Sequence, residues 1–382
     1  MRRRVAYVTG TRADYGLFSE PLKRIRERDG LELELIVTGM HLERQFGLTV
    51  QEIEEDGMPI AARVRNLTGG DGGGDQARSV GNAVHGITAA LEEVAPEVVI
   101  VLGDRGEMLA AAIAATHLNI AVAHVHGGEV SGTVDELVRH AISKLSHVHF
   151  AATGEAAERL RRMGERPEHV HVVGAPGLDY LNRFEPAPDA QLADELKLDL
   201  ARPFVIFTQH PVTIEMDRAA RQMEMSLQAL EAAGVQVTAT YPNSDAGGRS
   251  MIDVLDGWAG RSWLRVVPSL GRRKFATLLK RAAAMVGNSS SGIIEAPFFG
   301  VPVVNIGTRQ EGRLRAENVI DVPYDAQAIR AAIECALNDQ AFISRARASR
   351  NPYGDGHAGE RIVDVLASLE VGPALLDKRI TF

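Results

Sequence analysis

Side chains able to move a proton or hold an anion crowd into short stretches of this chain, and each stretch directly follows an apolar run. Gly103-Asp104-Arg105-Gly106-Glu107 comes after Val98–Leu102. A turn needs glycine and aspartate but gains nothing from an added arginine and glutamate. An aspartate at a strand end beside an arginine suits general acid/base work or anion binding. The densest group is His124-Val125-His126-Gly127-Gly128-Glu129, followed by Asp135. His124 and His126 are two apart and share a direction at a strand's end. That spacing could serve a metal, yet no third ligand of suitable spacing and no HExxH run accompanies it, so no metal is expected. Gly127-Gly128 lets the backbone approach a ligand closely. Thr133 can cap a helix beginning near Val134, with Glu136 completing a capping box. Arg139, His140 and Lys144 lie along that helix, the last two on one face. His147, His149, His169 and His171 are read as structural.

Gly287-Asn288-Ser289-Ser290-Ser291-Gly292 follows Ala284–Val286 and opens a helix at Ile293. Exposed backbone N–H groups at a helix start, with hydroxyls beside them, make an anion site. A serine N-cap is the plainer alternative, but one serine would satisfy it. Glu295 would repel a phosphate and suits the hydroxyls of a ribose instead. Arg309, in Asn305-Ile306-Gly307-Thr308-Arg309-Gln310, can bring a second positive charge to a pyrophosphate. Three more strand-end loops are Gly10–Gly16, His210-Pro211-Val212-Thr213 and Tyr241-Pro242-Asn243-Ser244-Asp245. Arg12 in the first can reach a phosphate or cap a carboxylate. His210 and Asn243 are the functional candidates of the others, whose prolines only fix turns. No GxGxxG run is present, which disfavours NAD.

Positioning these loops requires strands that alternate with helices. Val5–Val8, Leu33–Val37, Val98–Leu102, Ile120–Val125 and His147–Ala151 read as strands, with helices over Pro21–Arg28, Glu107–Thr116 and Val134–Ser146. Residues 181–203, bearing Pro186, Pro188 and Pro203, read as a linker plus a short helix. The alternation then restarts with strands at Val205–Thr208, Val235–Thr240, Leu264–Val267, Ala284–Val286 and Val301–Asn305. Two α/β domains, each a doubly wound parallel sheet, are expected: 1–180, carrying the acid/base cluster, and 204–360, with 361–382 a C-terminal helix returning to the first domain. Thr68–Asp75 is glycine-rich but lacks the Gly-Lys-Ser/Thr of a P-loop and reads as a surface loop.

The chain has 382 residues, 42 Lys and Arg against 50 Asp and Glu, and a net charge of −8, which disfavours a nucleic-acid partner. With one cysteine, Cys335, neither an internal disulfide nor a four-cysteine zinc site can form. The basic start is followed by too short an apolar run for a signal peptide, and no run is long enough to span a bilayer, so a cytoplasmic protein without a membrane partner is expected.

Seven runs in order, GTRADYG (10–16), GDRGE (103–107), HVHGGEVSGTVDELVRHAISKLSH (124–147), TQHPVT (208–213), YPNSDAG (241–247), GNSSSGIIEAP (287–297) and NIGTRQEGR (305–313), resemble the hydrolysing UDP-N-acetylglucosamine 2-epimerases of sialic acid biosynthesis. The likeness spans nearly the whole chain. It implies two Rossmann-like domains of the glycosyltransferase-B type with the active site in the interdomain cleft, no cofactor, and a homodimer or homotetramer. It implies conversion of UDP-N-acetylglucosamine and water to N-acetylmannosamine and UDP. Carried over by motif, Arg12, Arg105, His210, Asn243, Ser289, Ser290, Glu295 and Arg309 would hold UDP, while Asp104 and the 126–135 cluster face the sugar.

The residues suit that chemistry. The sugar's C2–H has no adjacent carbonyl, so it becomes acidic only as the C1–O bond to UDP breaks, in an anti elimination that yields a glycal. UDP leaves with its charge held by cations and N–H donors. Water then adds to C1 while a proton returns to C2 from the other face. At least two proton-transfer groups are needed and no redox cofactor. Several relatives resembled here carry an acid/base glutamate where this chain has His126. Either His126 does that work, as an imidazole suits proton shuttling, or Glu129 does. Asp104 is expected as one group and Glu129 with Asp135 as the other, with His126 kept as a candidate. A sister group resembled almost as closely acts on UDP-2,4-diacetamido-2,4,6-trideoxyglucose in legionaminic acid synthesis, and is the second substrate reading. A UDP-sugar glycosyltransferase and a non-catalytic UDP-sugar sensor fit less well, since neither needs the 104–135 cluster. The non-hydrolysing epimerases are set aside because GTRADYG and HGGE look like the hydrolysing branch.

Overall fold

A computed structural model describes residues 2–70, 72–130, 134–243, 245 and 247–382. The chain divides into two compact units, Met1–Tyr180 with Tyr353–Phe382, and Leu181–Pro352.

The first unit is built on seven parallel strands: β1 (Arg3–Thr9), β2 (Leu31–Thr38), β3 (Ile60–Val64), β4 (Val98–Leu102), β5 (Ala121–Val125), β6 (Val148–Ala151) and β7 (Val170–Val172). Their spatial order is β3-β2-β1-β4-β5-β6-β7. Side chains alternate across a strand, so β1 serves two layers at once. Val5 and Tyr7 face Phe18, Leu22, Ile25, Ile362 and Leu366. Ala6 and Val8 face Ala83, Ile87, Leu91, Met108 and Ala111 on the other side. Burial on both faces explains why the run is apolar throughout, as covered parallel sheets require. Each fully buried aliphatic side chain contributes about 1.5–3 kcal/mol.

The second unit has six parallel strands: β8 (Phe204–Thr208), β9 (Gln236–Thr240), β10 (Leu264–Val267), β11 (Ala284–Gly287), β12 (Val303–Ile306) and β13 (Val319–Val322), in the order β10-β9-β8-β11-β12-β13. Val205 and Phe207 pack against Met223, Leu227 and Ile333. Phe204 and Ile206 pack against Leu192, Leu196 and Leu278.

Strand order reverses between β1 and β4 in the first sheet and between β8 and β11 in the second. Ligands of doubly wound sheets bind at such points, beyond the carboxyl ends of the strands. The loops that open there begin at Gly10, Gly103, Gln209 and Asn288.

Several expectations need correction. The first helix is Arg12–Glu27, not Pro21–Arg28. Its start is a capping box: Thr11 Oγ1 accepts from Asp14 N, and the Asp14 carboxylate accepts from Thr11 N at 2.8 Å. The helix runs on through Pro21, so only Gly10 and Thr11 remain as loop. Residues 181–203 are packed in the second unit, with a helix at Asp189–Leu196 whose Leu192 and Leu196 enter the core. The return to the first unit comes at Tyr353, ahead of a helix at Ala358–Ser368. Gly73–Asp75 of the glycine-rich run open a helix that reaches Val94, while Asp71 lies outside the described residues. No helix among the described residues is long and apolar enough to cross a membrane.

Candidate active site

At the β1/β4 switch point, Glu107 enters buried space that glycine makes available. A Cβ on Gly39, whose φ is +59°, would stand 2.7 Å from Glu107 Oε1, and one on Gly10 would stand 3.1 Å from the carboxyl carbon. Glu107 accepts from Arg105 Nε at 3.2 Å and Nη2 at 3.4 Å. Burial works against the Arg105 charge, but Glu107 outweighs it and holds the guanidinium above its ordinary pKa. Asp14, buried beside them, is pushed up to about 6 by desolvation, against hydrogen bonds from Thr9, Thr11 and Gly10. His41, between Thr9 and Thr49, is driven down to about 4 by burial and is neutral. Arg12 is not gathered with these groups. Its guanidinium pairs with Glu52 at 3.0 Å on the surface, which is the carboxylate-capping alternative.

Beyond β4 and β5 the geometry converges on Arg139, a buried residue of the Val134–Leu145 helix. Arg139 Nη2 donates to Asp104 Oδ2, and Nη1 donates to the backbone carbonyl of His126 at 2.9 Å. His126 has a left-handed backbone, φ +64°, and its Nδ1 stands 2.5 Å from Glu129 Oε1. Asp104, His126 and Glu129 are therefore one connected group. His124 is separate in role: fully buried, it donates from Nε2 to Gly103 O at 2.7 Å, and Ser143 Oγ lies 3.1 Å from Nδ1. Burial pushes it down to about 3, so it is a neutral strut under the Gly103 turn. Asp135 occupies the exposed first turn of the same helix. Thr133, read as that helix's cap, lies outside the described residues.

In the second unit, His210 and Asn288 tie the two switch-point loops together. His210 N donates to Asn288 Oδ1 at 2.6 Å, and Asn288 Nδ2 returns to His210 O at 2.9 Å. Asn243 N donates to His210 Nδ1 at 2.9 Å, which leaves the ring proton on Nε2. Burial, and secondarily Arg309, pushes His210 down to about 4, so it is an uncharged, oriented donor. Arg309 Nη1 and Gln310 Nε2 both donate to Asn288 O, at 3.2 and 2.8 Å. No described carboxylate pairs with Arg309, whose pKa is lowered by burial, so its charge is available to an anion.

The helix here begins at Ser290, not Ile293, and is one turn long, ending at Ile294. Ser289 is its N-cap, accepting from Ser291 N at 3.3 Å, so one serine does take the plainer role. Ser290 is half-buried in the first turn. Glu295 closes the turn, its pKa raised by burial. His210, Asn243, Ser289, Ser290 and Arg309 thus flank one end of the second sheet.

Sequence reasoning gave no role to Arg139 or Asn288, yet each organises its half. The signal for Arg139 is an inverted helix: Val134 and Leu137 are 61% and 72% exposed while Arg139 and Ser143 are buried.

Comparisons with known proteins agree along the chain. The profile of the UDP-N-acetylglucosamine 2-epimerase family matches residues 23–367. A Legionella pneumophila protein named UDP-N,N'-diacetylbacillosamine 2-epimerase (hydrolyzing) is 42% identical over 378 residues, 99% of each chain. A Neisseria meningitidis protein named UDP-N-acetylglucosamine 2-epimerase is 36% identical over 339 residues, 88% of each chain. The crystal structure of a Neisseria meningitidis UDP-GlcNAc 2-epimerase bound to UDP-GlcNAc shares the fold, with a TM-score of 0.78 at 19% identity, covering 95% of this chain and 99% of that one. With Rossmann-like sheets of the glycosyltransferase-B type in both units and sequence identity that runs from end to end, the chain belongs to the UDP-N-acetylglucosamine 2-epimerase family of enzymes.

Proposed function

We propose that this protein is a hydrolysing 2-epimerase of a UDP-2-acetamido sugar, and that its substrate is UDP-N,N'-diacetylbacillosamine, the 2,4-diacetamido-2,4,6-trideoxy sugar nucleotide. The single observation that carries the reaction type is the Asp104–Arg139–His126–Glu129 group. A protein that only bound UDP would need the phosphate-holding half and no such array. The substrate rests on the 42% identity across 99% of both chains to the Legionella pneumophila protein of that activity. This reverses the order in which motifs alone place the two sugars.

The reading assigns the proton chemistry to the first unit, where Asp104 is one transfer group and the 126–135 cluster supplies the other. It assigns the leaving group to the second unit. His210 Nε2–H, Arg309 and the N–H groups around Ser289 and Ser290 would stabilise the charge that develops as C1–O breaks. Asn243 and Glu295 would accept from or donate to the nucleoside. Arg105, already oriented by Glu107, would add a cation. Arg12 would first have to leave its exposed pair with Glu52, at a cost of only about 0.2–1 kcal/mol.

Proton NMR in deuterated water tests this with both sugar nucleotides. The expected result is free 2-epimerised sugar carrying deuterium at C2, with one UDP released per sugar, from the diacetamido substrate. The second reading, UDP-N-acetylglucosamine, has the 36% identical Neisseria meningitidis protein in its favour and predicts N-acetylmannosamine in the same tube. Product that keeps its UDP would overturn hydrolysis, and inertness toward both sugars would overturn the reaction.

A further inference from the structure

His126 and Glu129 compete, on sequence alone, for the second proton-transfer role, but the geometry makes them partners. Nδ1 and Oε1 are 2.5 Å apart, and the side chains are 12% and 15% exposed. A carboxylate oxygen can only accept, so the proton of the neutral ring is on Nδ1 and the lone pair is on Nε2. Among the described residues, Nε2 makes no hydrogen bond and does not join His140 Nδ1 and His149 Nδ1 as a buried ring nitrogen without a partner.

The backbone is built to present that ring. A left-handed residue other than glycine costs about 1–2 kcal/mol, and here both adjoining peptide groups are tied down. His126 N donates to Phe150 O at 3.0 Å, and its carbonyl takes the Arg139 bond. Because Arg139 also holds Asp104, one guanidinium sets the spacing of the two proton-transfer positions. Such strain, held by surrounding bonds, accumulates at functional sites.

We propose that His126 and Glu129 form one proton-transfer unit in which His126 Nε2 takes the proton from the sugar's C2, while Glu129 positions the ring and balances its charge. This rests on the reaction proposed above. In the step, the C2–H bond breaks toward Nε2, its electron pair forms the C1=C2 bond, and the C1–O pair leaves on the β-phosphate oxygen of UDP. The imidazolium so formed faces the Glu129 carboxylate. Glu129 is thus a positioning residue that acts only through His126.

The test is a double-substitution cycle with chemical rescue, on the full chain. His126→Gly suits a left-handed backbone, so its melting temperature should not fall, and His126→Asn, also tolerant of that conformation, is the substitute should it fold poorly. The cycle expects kcat to drop by about 10²–10⁴, with UDP affinity by calorimetry unchanged and part of the rate restored by added imidazole. Glu129→Gln should lower kcat at least about tenfold in the natural chain and have no further effect beside His126→Gly. Additive effects of the two substitutions, or a His126→Gly variant that keeps most of its kcat, would overturn the unit and make Glu129 the transfer group. Failure of the reaction assignment looks different: the unsubstituted protein would release no UDP from either sugar.

Discussion

Arg139 and Arg309 do opposite work with the same group. Arg139 is spent within the protein, on Asp104 and a backbone carbonyl, whereas among the described residues Arg309 donates to Asn288 O and pairs with no carboxylate, which leaves its charge available to an anion. Asp104→Asn therefore removes the proposed transfer group and the charge partner of a buried guanidinium. Turnover should be abolished while UDP affinity stays within about tenfold, with a lower melting temperature alongside; lost UDP binding in calorimetry would show that Asp104 is a phosphate-side residue. Arg309→Ala should weaken UDP at least about tenfold, the value of a charged hydrogen bond, and equal affinity would remove it from the site. The grouping of Asp104, His126 and Glu129 was legible in the sequence because three ionisable side chains crowd the strand ends. Arg139 and Asn288 were not, because their work is to hold other residues. A charge within an amphipathic helix looks like a solvated face, and an asparagine after a glycine looks like a turn, until tertiary packing buries them.

Among the elements, ten strands were legible and β3, β7 and β13 were not. All three lie at sheet edges. A central strand such as β4 is covered on both faces and reads as an unbroken apolar run, whereas β3 alternates half-buried and exposed positions and β13 has no buried residue. An edge strand needs little hydrophobicity of its own, so its sequence carries little signal. The β8/β11 contact shows the reverse, a position where one residue type is dictated. Gly287, φ +125°, pairs with Thr208, and a Cβ there would stand 2.0 Å from the Thr208 carbonyl oxygen. Gly287→Ala should destabilise the second unit by at least about 2 kcal/mol and move Asn288 off His210, so that urea unfolding and UDP binding both suffer. A variant with unchanged unfolding midpoint would show that the strands can part without loss.

At the scale of the molecule, the two units should respond differently to acid. Burial lowers the pKa of His41, His124 and His147 from 6.5 to about 4, 3 and 4, and lowers His149, His169 and His171 as well. All belong to the first unit, while the second has His210. A histidine whose folded pKa lies below its unfolded value contributes stability that is complete above about 6.5 and is lost as pH falls toward the folded pKa. Asp14, raised to about 6, works in the opposite direction over part of that range, as do Glu34 and Asp179, also raised by burial, but the six lowered histidines outnumber these three carboxyls. Calorimetry between pH 7 and pH 5 should show the first unit's transition moving to lower temperature ahead of the second's; the reverse order would refute this. The same division of the chain bears on how the protein is made. Tyr353–Phe382 complete the first unit, and Lys378 donates to the carbonyls of Lys144 and Ser146 at the end of the helix that carries Arg139. At ribosomal rates of about 5–20 residues per second, Tyr180 precedes those residues by roughly 10–40 s. The second unit, continuous in sequence, can therefore finish folding first, while the half that holds Asp104 and His126 waits on the growing chain for the segment that closes it.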